Sequence, residues 1–137
     1  MIDYFHLSLQ AEELRAMSCL GLAHIGDGVY ELMVRSWLCV HGKLTSRDLH
    51  RETVRYVCAP AQAAAAEKIG PLLEEEEAAV YRRGRNTRVN SVPRGANIRE
   101  YHSATGLEAL FGWLYLKGRC ERLNTLFAAI MEEEECR

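Results

Sequence analysis

"LAHIGDGVYELMVRSW", residues 22–37, is apolar at almost every step, yet an aspartate sits at its centre. Asp27 lies between Gly26 and Gly28, and glycine is the poorest helix former after proline. Read alone, Gly-Asp-Gly is a turn signal. Apolar residues continue on both sides in helical phase, however, and this predicts one unbroken helix from Ser18 or Cys19 to Val40, with Gly42 as its C-terminal cap. Two glycines inside a helix cost about 2 kcal/mol relative to alanine. They are expected to admit a second backbone or to open room beside the Asp27 side chain. Between Met17 and Val40 the only charges are Asp27, Glu31 and Arg35, spaced four and four apart. That spacing draws one narrow polar stripe along an apolar rod. Glu31 and Arg35 can pair one turn apart. Asp27 has only His24 as a polar neighbour on its other side.

A second segment repeats the oddity. "SATGLEALFGWLYLKG" reads as an apolar helix opened by Ser103 and closed near Gly118, and Glu108 is its only charge from Ser103 to Leu116. One reading is a single exposed position on a buried helix. The other joins the two acids. Each helix carries one carboxylate without an obvious partner and nearby glycines, Gly26 and Gly28 in one, Gly106 and Gly112 in the other. A buried, unpaired carboxylate is costly. A divalent cation shared by Asp27 and Glu108 offsets that cost, and hard oxygen ligands completed by waters suit magnesium.

The rest of the chain also reads as helix. The expected elements are a short helix at 8–17 and a third helix from Thr45 or Ser46, with Leu49, Val54 and Val57 on its apolar face. An alanine-rich helix, "APAQAAAAEKIG", is stopped by Gly70-Pro71. "LLEEEEAAVYRRG" follows, with acids at its start and arginines at its end as the helix dipole prefers. The last helix is "CERLNTLFAAIMEEEE", whose four terminal acids oppose the dipole and should fray it. No stretch alternates with period two, so the expectation is an all-α fold in a single domain spanning 1–137. Apolar residues make up 48% of the 137, enough for a real core. No apolar run is long enough for a membrane span. The start, "MIDYFHLSLQ", lacks the features of a signal peptide. A cytoplasmic protein without membrane attachment is expected. The cysteines, Cys19, Cys39, Cys58, Cys120 and Cys136, are widely spaced and contain no CxxC pair, which fits free thiols better than a zinc site.

Charge is distributed unevenly. Residues 81–102, "YRRGRNTRVNSVPRGANIREYH", hold six arginines and one acid, Glu100. Residues 84–100 within this stretch show no helical period and read as a long loop. Arginine's planar fork suits phosphate contacts. A basic stretch in a chain of net charge -2 points to a directed polyanion site. Arg82, Arg83, Arg85, Arg88 and Arg94 are the candidates for contact with phosphates, and Tyr101 and His102 stand close behind them.

"LGLAHIGDGVYELMVR" and "SATGLEALFGWLYL", in that order with "YRRGRN" between them, resemble the ribonuclease III family. Within it, the likeness is to the Mini-ribonuclease III branch, a catalytic domain without an attached double-stranded-RNA-binding domain. The resemblance covers roughly residues 15–130. It implies that Asp27 matches the family's catalytic aspartate and Glu108 its metal-binding glutamate. The chain departs from ribonuclease III proper where that signature has further acids: Leu20 and Ala23 stand seven and four residues before Asp27, and Thr105 stands three before Glu108. Fewer protein ligands then imply more waters around the metal. The resemblance further implies a homodimer with the signature helix near its two-fold axis. It implies Mg²⁺-dependent cleavage of double-stranded RNA leaving 5′-phosphates, and a role in maturing large-subunit (23S) ribosomal RNA precursors. A ribosomal protein could assist so small a nuclease.

Two other classes are compatible with the residues alone. A non-catalytic dimeric RNA-binding module would keep the arginines and need no metal. A helical metal-dependent nucleotide hydrolase would need more acids or histidines at metal spacing, and the chain has no ExxH or HD pair.

Overall fold

The computed structural model describes residues 1–42, 45–88 and 91–135, with side chains described as far as Met131. Among these residues the chain forms α1 (Ala11–Arg15), α2 (Cys19–His41), α3 (Ser46–Val57), α4 (Ala59–Ile69), a 3₁₀ turn (Gly70–Leu72), α5 (Glu75–Asn86), α6 (Ile98–Lys117) and α7 (Cys120–Glu135), with no strand. The expected all-α fold is the fold observed. No helix among the described residues is long and apolar enough to cross a membrane.

Local chemistry sets the helix ends. The Ser18 hydroxyl accepts from the Gly21 N–H at 2.9 Å and starts α2, while the Gly42 N–H closes it on the Leu38 carbonyl at 2.7 Å. The aspartate between two glycines is therefore in an unbroken helix, as its flanking apolar phase predicts. Thr45 caps α3 by accepting from the Asp48 N–H. The Glu74 N–H donates to the Glu77 carboxylate at 2.8 Å to start α5. Gly118, at φ 85°, ends α6 in the left-handed conformation, and the Arg119 N–H reaches back to the Leu114 carbonyl. That geometry is open to glycine at little cost.

Several boundaries differ from the sequence-based expectation. The first helix is only five residues long. On α3, Leu49 and Val57 pack against the core, but Val54 is exposed and Thr53 is buried in its place. The helical phase through Leu49 passes four residues on to Thr53, not five on to Val54. The expected loop at 84–100 shortens at both ends. Asn97 caps α6, its Oδ1 accepting from the Arg99 and Glu100 N–H groups at 2.9 and 3.2 Å, so α6 begins five residues before Ser103. At the other end α5 continues through Gly84 to Asn86, because Gly84 is where α5 rests on α6. A Cβ there would lie 2.7 Å from that of Ala109. Glu31 and Arg35 do pair, at 3.0 Å on the surface. Cys19, Cys39, Cys58 and Cys120 are free thiols; Cys136 lies outside the described residues. The α7 end is helical to Glu135, and the side chains of its four acids also lie outside the described ones.

α6 is the central rod. Its side chains from Ala104 to Leu107, from Ala109 to Leu114, and at Leu116 are all buried. The other helices pack round it, with α2 and α5 making the closest approaches. Tyr30 of α2 sets its ring edge against Phe111 of α6 and Phe127 of α7, with centroids 5.2 and 6.0 Å apart. Where α2 crosses α6, the backbones touch directly. A Cβ on Gly26 would overlap the Glu108 carbonyl, and one on Gly112 would overlap the Leu22 carbonyl. At the far end of the bundle Arg122 of α7 grips the buried Glu77 carboxylate with two bonds of 2.7 and 2.8 Å and adds a third to the Leu72 carbonyl. Burial opposes the Glu77 charge, but the hydrogen bonds from Arg122 and the Glu74 backbone outweigh it and hold the carboxyl below its usual range.

The two glycines flanking Asp27 are thus not equivalent. A Cβ on Gly28 would meet nothing within 4 Å. Gly26→Ala is expected to lower folding stability by several kcal/mol, at or beyond the ~1–3 kcal/mol typical of overpacking, because backbone rather than a flexible side chain must move. Gly28→Ala is expected to be neutral or to stabilise by up to about 1 kcal/mol through helix propensity. Denaturant midpoints of the two variants, measured side by side, check this.

Candidate active site

The crossing of α2 and α6 puts Asp27 and Glu108 in contact. The Asp27 carboxyl lies near enough to Glu108 to favour its protonated form. Around them lies a cavity of about 350 Å³ with three walls. Leu20, Ala23, His24 and Asp27 come from α2, stacked at helical spacing. Tyr101, Ala104, Thr105 and Glu108 come from α6 in the same way. Val57, Ala59 and Gln62 come from the junction of α3 and α4. The three positions where the chain departs from the acids of ribonuclease III proper, Leu20, Ala23 and Thr105, all line this cavity. The Thr105 hydroxyl is engaged by the Tyr101 carbonyl at 3.0 Å. Apolar groups therefore supply much of the surroundings of the acid pair.

The electrostatics follow from that lining. Burial is the largest effect on Glu108 and disfavours its charge; the hydrogen bond and negative charge of Asp27 act in the same direction. A hydrogen bond from the Gln62 amide opposes them, and the Glu108 pKa still rises from 4.5 to about 8. Asp27 itself is exposed at the cavity mouth. Among the described residues no group of three or more His, Cys, Asp or Glu could hold a metal ion, so any cation here would have two protein carboxylates and otherwise waters. Gln62 was not singled out by its sequence, although it is the only polar residue from Ala59 to Ala66, and a lone amide in an alanine run was a readable signal.

Of the candidate RNA-contacting arginines, Arg83 and Arg85 line different clefts. Arg82, Arg83 and Arg85 are exposed on the last turns of α5, and Arg88 and Arg94 are exposed in the α5–α6 connection. Arg85 lines a second cleft, of about 540 Å³, with Asn86, Arg99, His102 and Ser103. Arg99, absent from the sequence-based set, joins this group because α6 starts early. Arg83 faces another cavity, beside Trp113, Leu14 and Lys117. His102 has a buried Nδ1 without a hydrogen-bond partner. His24 is exposed beside Asp27.

The family model for the ribonuclease III domain matches residues 20–119. The chain belongs to the ribonuclease III family. The Mini-ribonuclease 3 of a Thermoanaerobacter species is 45% identical over 118 residues, spanning 86% of this chain and 83% of the relative. That of Symbiobacterium thermophilum is 46% identical over 110 residues, spanning 80% and 85%. Among solved structures, the crystal structure of protein FN1578 from Fusobacterium nucleatum superposes with a TM-score of 0.80 at 29% identity, covering 89% of this chain and 98% of that one. The chain is accordingly an endoribonuclease of the Mini-ribonuclease 3 type.

The raised Glu108 pKa makes a signed prediction for the metal-free protein. Its folded-state value lies above the unfolded one, so the protonated form favours folding. That stability is fully present below about pH 4.5 and is lost as pH rises towards about 8. The thermal midpoint in chelator should therefore fall across this window. Glu108→Gln should flatten that fall and leave the variant more stable than the parent at pH 8.

Proposed function

We propose that residues 1–137 form one catalytic unit that cleaves double-stranded RNA with Mg²⁺, maturing precursors of large-subunit (23S) ribosomal RNA in the cytoplasm as a homodimer. The observation that carries this reading is the Asp27–Glu108 pair, two acids 81 residues apart in sequence that meet in one cavity. A part-apolar pocket that brings two carboxyls together suits a divalent cation. The donors are hard oxygens, and the cavity has room for the waters magnesium keeps. Asp27 and Glu108 are the residues that would hold it. When bound, the ion supplies an activated water and neutralises charge at the phosphodiester.

The chain's own residues do the rest. Asp27, at the cavity mouth, faces the arriving backbone. Glu108, deeper, would have to give up its proton to hold the ion, so metal binding should release protons below pH 8. Arg82, Arg85, Arg88 and Arg94 contact phosphates and thereby recognise duplex shape rather than sequence, and Arg83, set in its separate cavity, contributes least. Leu32 and Val40 of α2 are exposed on the single chain, and a second copy would cover that part of the helix. Two copies give two sites, one per RNA strand, with 5′-phosphate products. A ribosomal protein on the precursor would supply affinity that a domain of this size lacks.

Asp27→Asn is expected to reduce cleavage of a precursor ribosomal RNA stem by at least about a hundredfold, beyond what loss of a partner one shell further out costs. Its helicity and dimer mass should not change. Full turnover of this variant in Mg²⁺, with mapped ends as in the parent, rejects the catalytic role.

Alanine at Arg82, Arg85, Arg88 and Arg94 together should weaken RNA binding and flatten the plot of log K against log salt by ~0.9 per lost contact, taking B-DNA as a guide. Arg83→Ala alone should change neither appreciably. Filter binding across a salt series gives both numbers.

A further inference from the structure

Gln62 is only 1% exposed and enters the cavity from α4. One amide N–H donates to the Val57 carbonyl at 3.1 Å, and the amide lies near enough to Glu108 to favour its charged form. Its Oε1 is buried and has no hydrogen-bond partner. Turning the amide over would not remove the problem, because it would set oxygen against the Val57 carbonyl; the bond to Val57 fixes which way the amide faces. Folded proteins seldom leave a buried acceptor empty, and those that do mark a water, an ion or a functional group.

The surrounding chemistry narrows the choice. Two carboxylates fill only part of a magnesium shell, and waters fill the remainder. Each of those waters is a strong donor and needs an acceptor in the wall. Leu20, Ala23, Val57 and Ala104 offer no side-chain acceptor; the Thr105 hydroxyl, which donates to the Tyr101 carbonyl, can still accept, and the Gln62 Oε1 is the buried acceptor of this wall that has no partner. We propose that Gln62 is a positioning residue of the cation site, its Oε1 accepting a hydrogen bond from the hydration shell while its N–H bond to the Val57 carbonyl locks the amide in that orientation. The proposal rests on the metal reading given above and deepens it. A purely structural Gln62 would only tie the end of α3 to α4.

Calorimetric titration of the metal-free protein with Mg²⁺ tests this on the parent, Gln62→Met and Gln62→Glu, alongside thermal midpoints with and without Mg²⁺ and kcat and KM on an RNA stem. A parent that neither binds Mg²⁺ nor cuts overturns the metal reading and this inference together. With an active parent, Gln62→Met should bind Mg²⁺ about 10- to 100-fold more weakly, as loss of an outer partner of a metal site does. The Mg²⁺ needed for half-maximal cutting should rise by the same factor, with KM for RNA unchanged at saturating Mg²⁺. Gln62→Glu keeps an acceptor oxygen but loses the bond to Val57, and it should bind Mg²⁺ at least as tightly as the parent. Parent-like Mg²⁺ affinity in Gln62→Met, whatever its thermal stability, overturns the inference. So does a Gln62→Glu as weak as Gln62→Met, which would assign the effect to the tie with Val57.

Discussion

Direct contact between the α2 and α6 backbones is the constraint from which the site follows. Helices packed through ordinary side chains keep their axes 8–10 Å apart. At Gly26 and Gly112 there is no side chain to hold them apart, and the Glu108 carbonyl fills the place a Cβ would take. Asp27 is the next residue after Gly26, and Glu108 lies one turn before Gly112. A short aspartate side chain can therefore reach a glutamate on the neighbouring helix. The same closeness recurs on the other face of α6, where Gly106 lies under Tyr81 and Gly84 against Ala109. α6 is thus clasped from two sides through glycine, and Glu108 is held on a rod with little freedom to move. A site built on packed helices keeps its geometry better than one built on loops.

The same packing imposes an electrostatic cost. Glu108, in a cavity lined in part by Leu20, Ala23, Val57 and Ala59, is poorly solvated, and it keeps its proton to about pH 8 as a result. Hydrophobic burial elsewhere in the core sustains this arrangement, as is common where function opposes stability. The contrast with Glu77 is instructive. Glu77 is at least as buried by exposure, yet Arg122 gives it two hydrogen bonds and its carboxyl stays ionised. One buried acid is provided with a cation from the chain itself. The other has a second acid and an amide beside it, and it stays protonated instead.

Much of this was legible before any coordinates. The all-α class followed from apolar phase, and the solitary acids stood out because each was the only unpaired charge on a long apolar helix. Asp27 was conspicuous because two helix-weakening residues flanked it. Sequence spacing alone offered no means of telling Gly26 from Gly28, since only the position of α6 decides which of them faces a backbone. Gly84 and Asn97 misled for related reasons. A glycine before an arginine–asparagine run reads as a stop, and an asparagine among other turn residues reads as loop, until tertiary contact on one and a capping bond on the other reverse the sense. Gln62 is visible as a lone amide in an alanine run, but its alanine neighbours carry no pattern that says which face of the helix points inward.

The early start of α6 has a consequence for how the basic stretch is organised. A seventeen-residue loop would spread its arginines over a broad surface with no fixed spacing. With α5 running to Asn86 and α6 beginning at Ile98, Arg85 and Arg99 instead project from two helix ends into one cleft, and His102 lies a turn inward on α6. Tyr101, the neighbour of His102, lines the carboxylate cavity, and Arg85 stands over the Tyr81 ring at 5.8 Å. The first turns of α6 therefore carry residues of both clefts, His102 facing the cationic one and Tyr101 the acidic one. A polyanion held at the first would be placed in register with the second by the rigidity of a single helix, and the positions of the arginines would then matter more than their number.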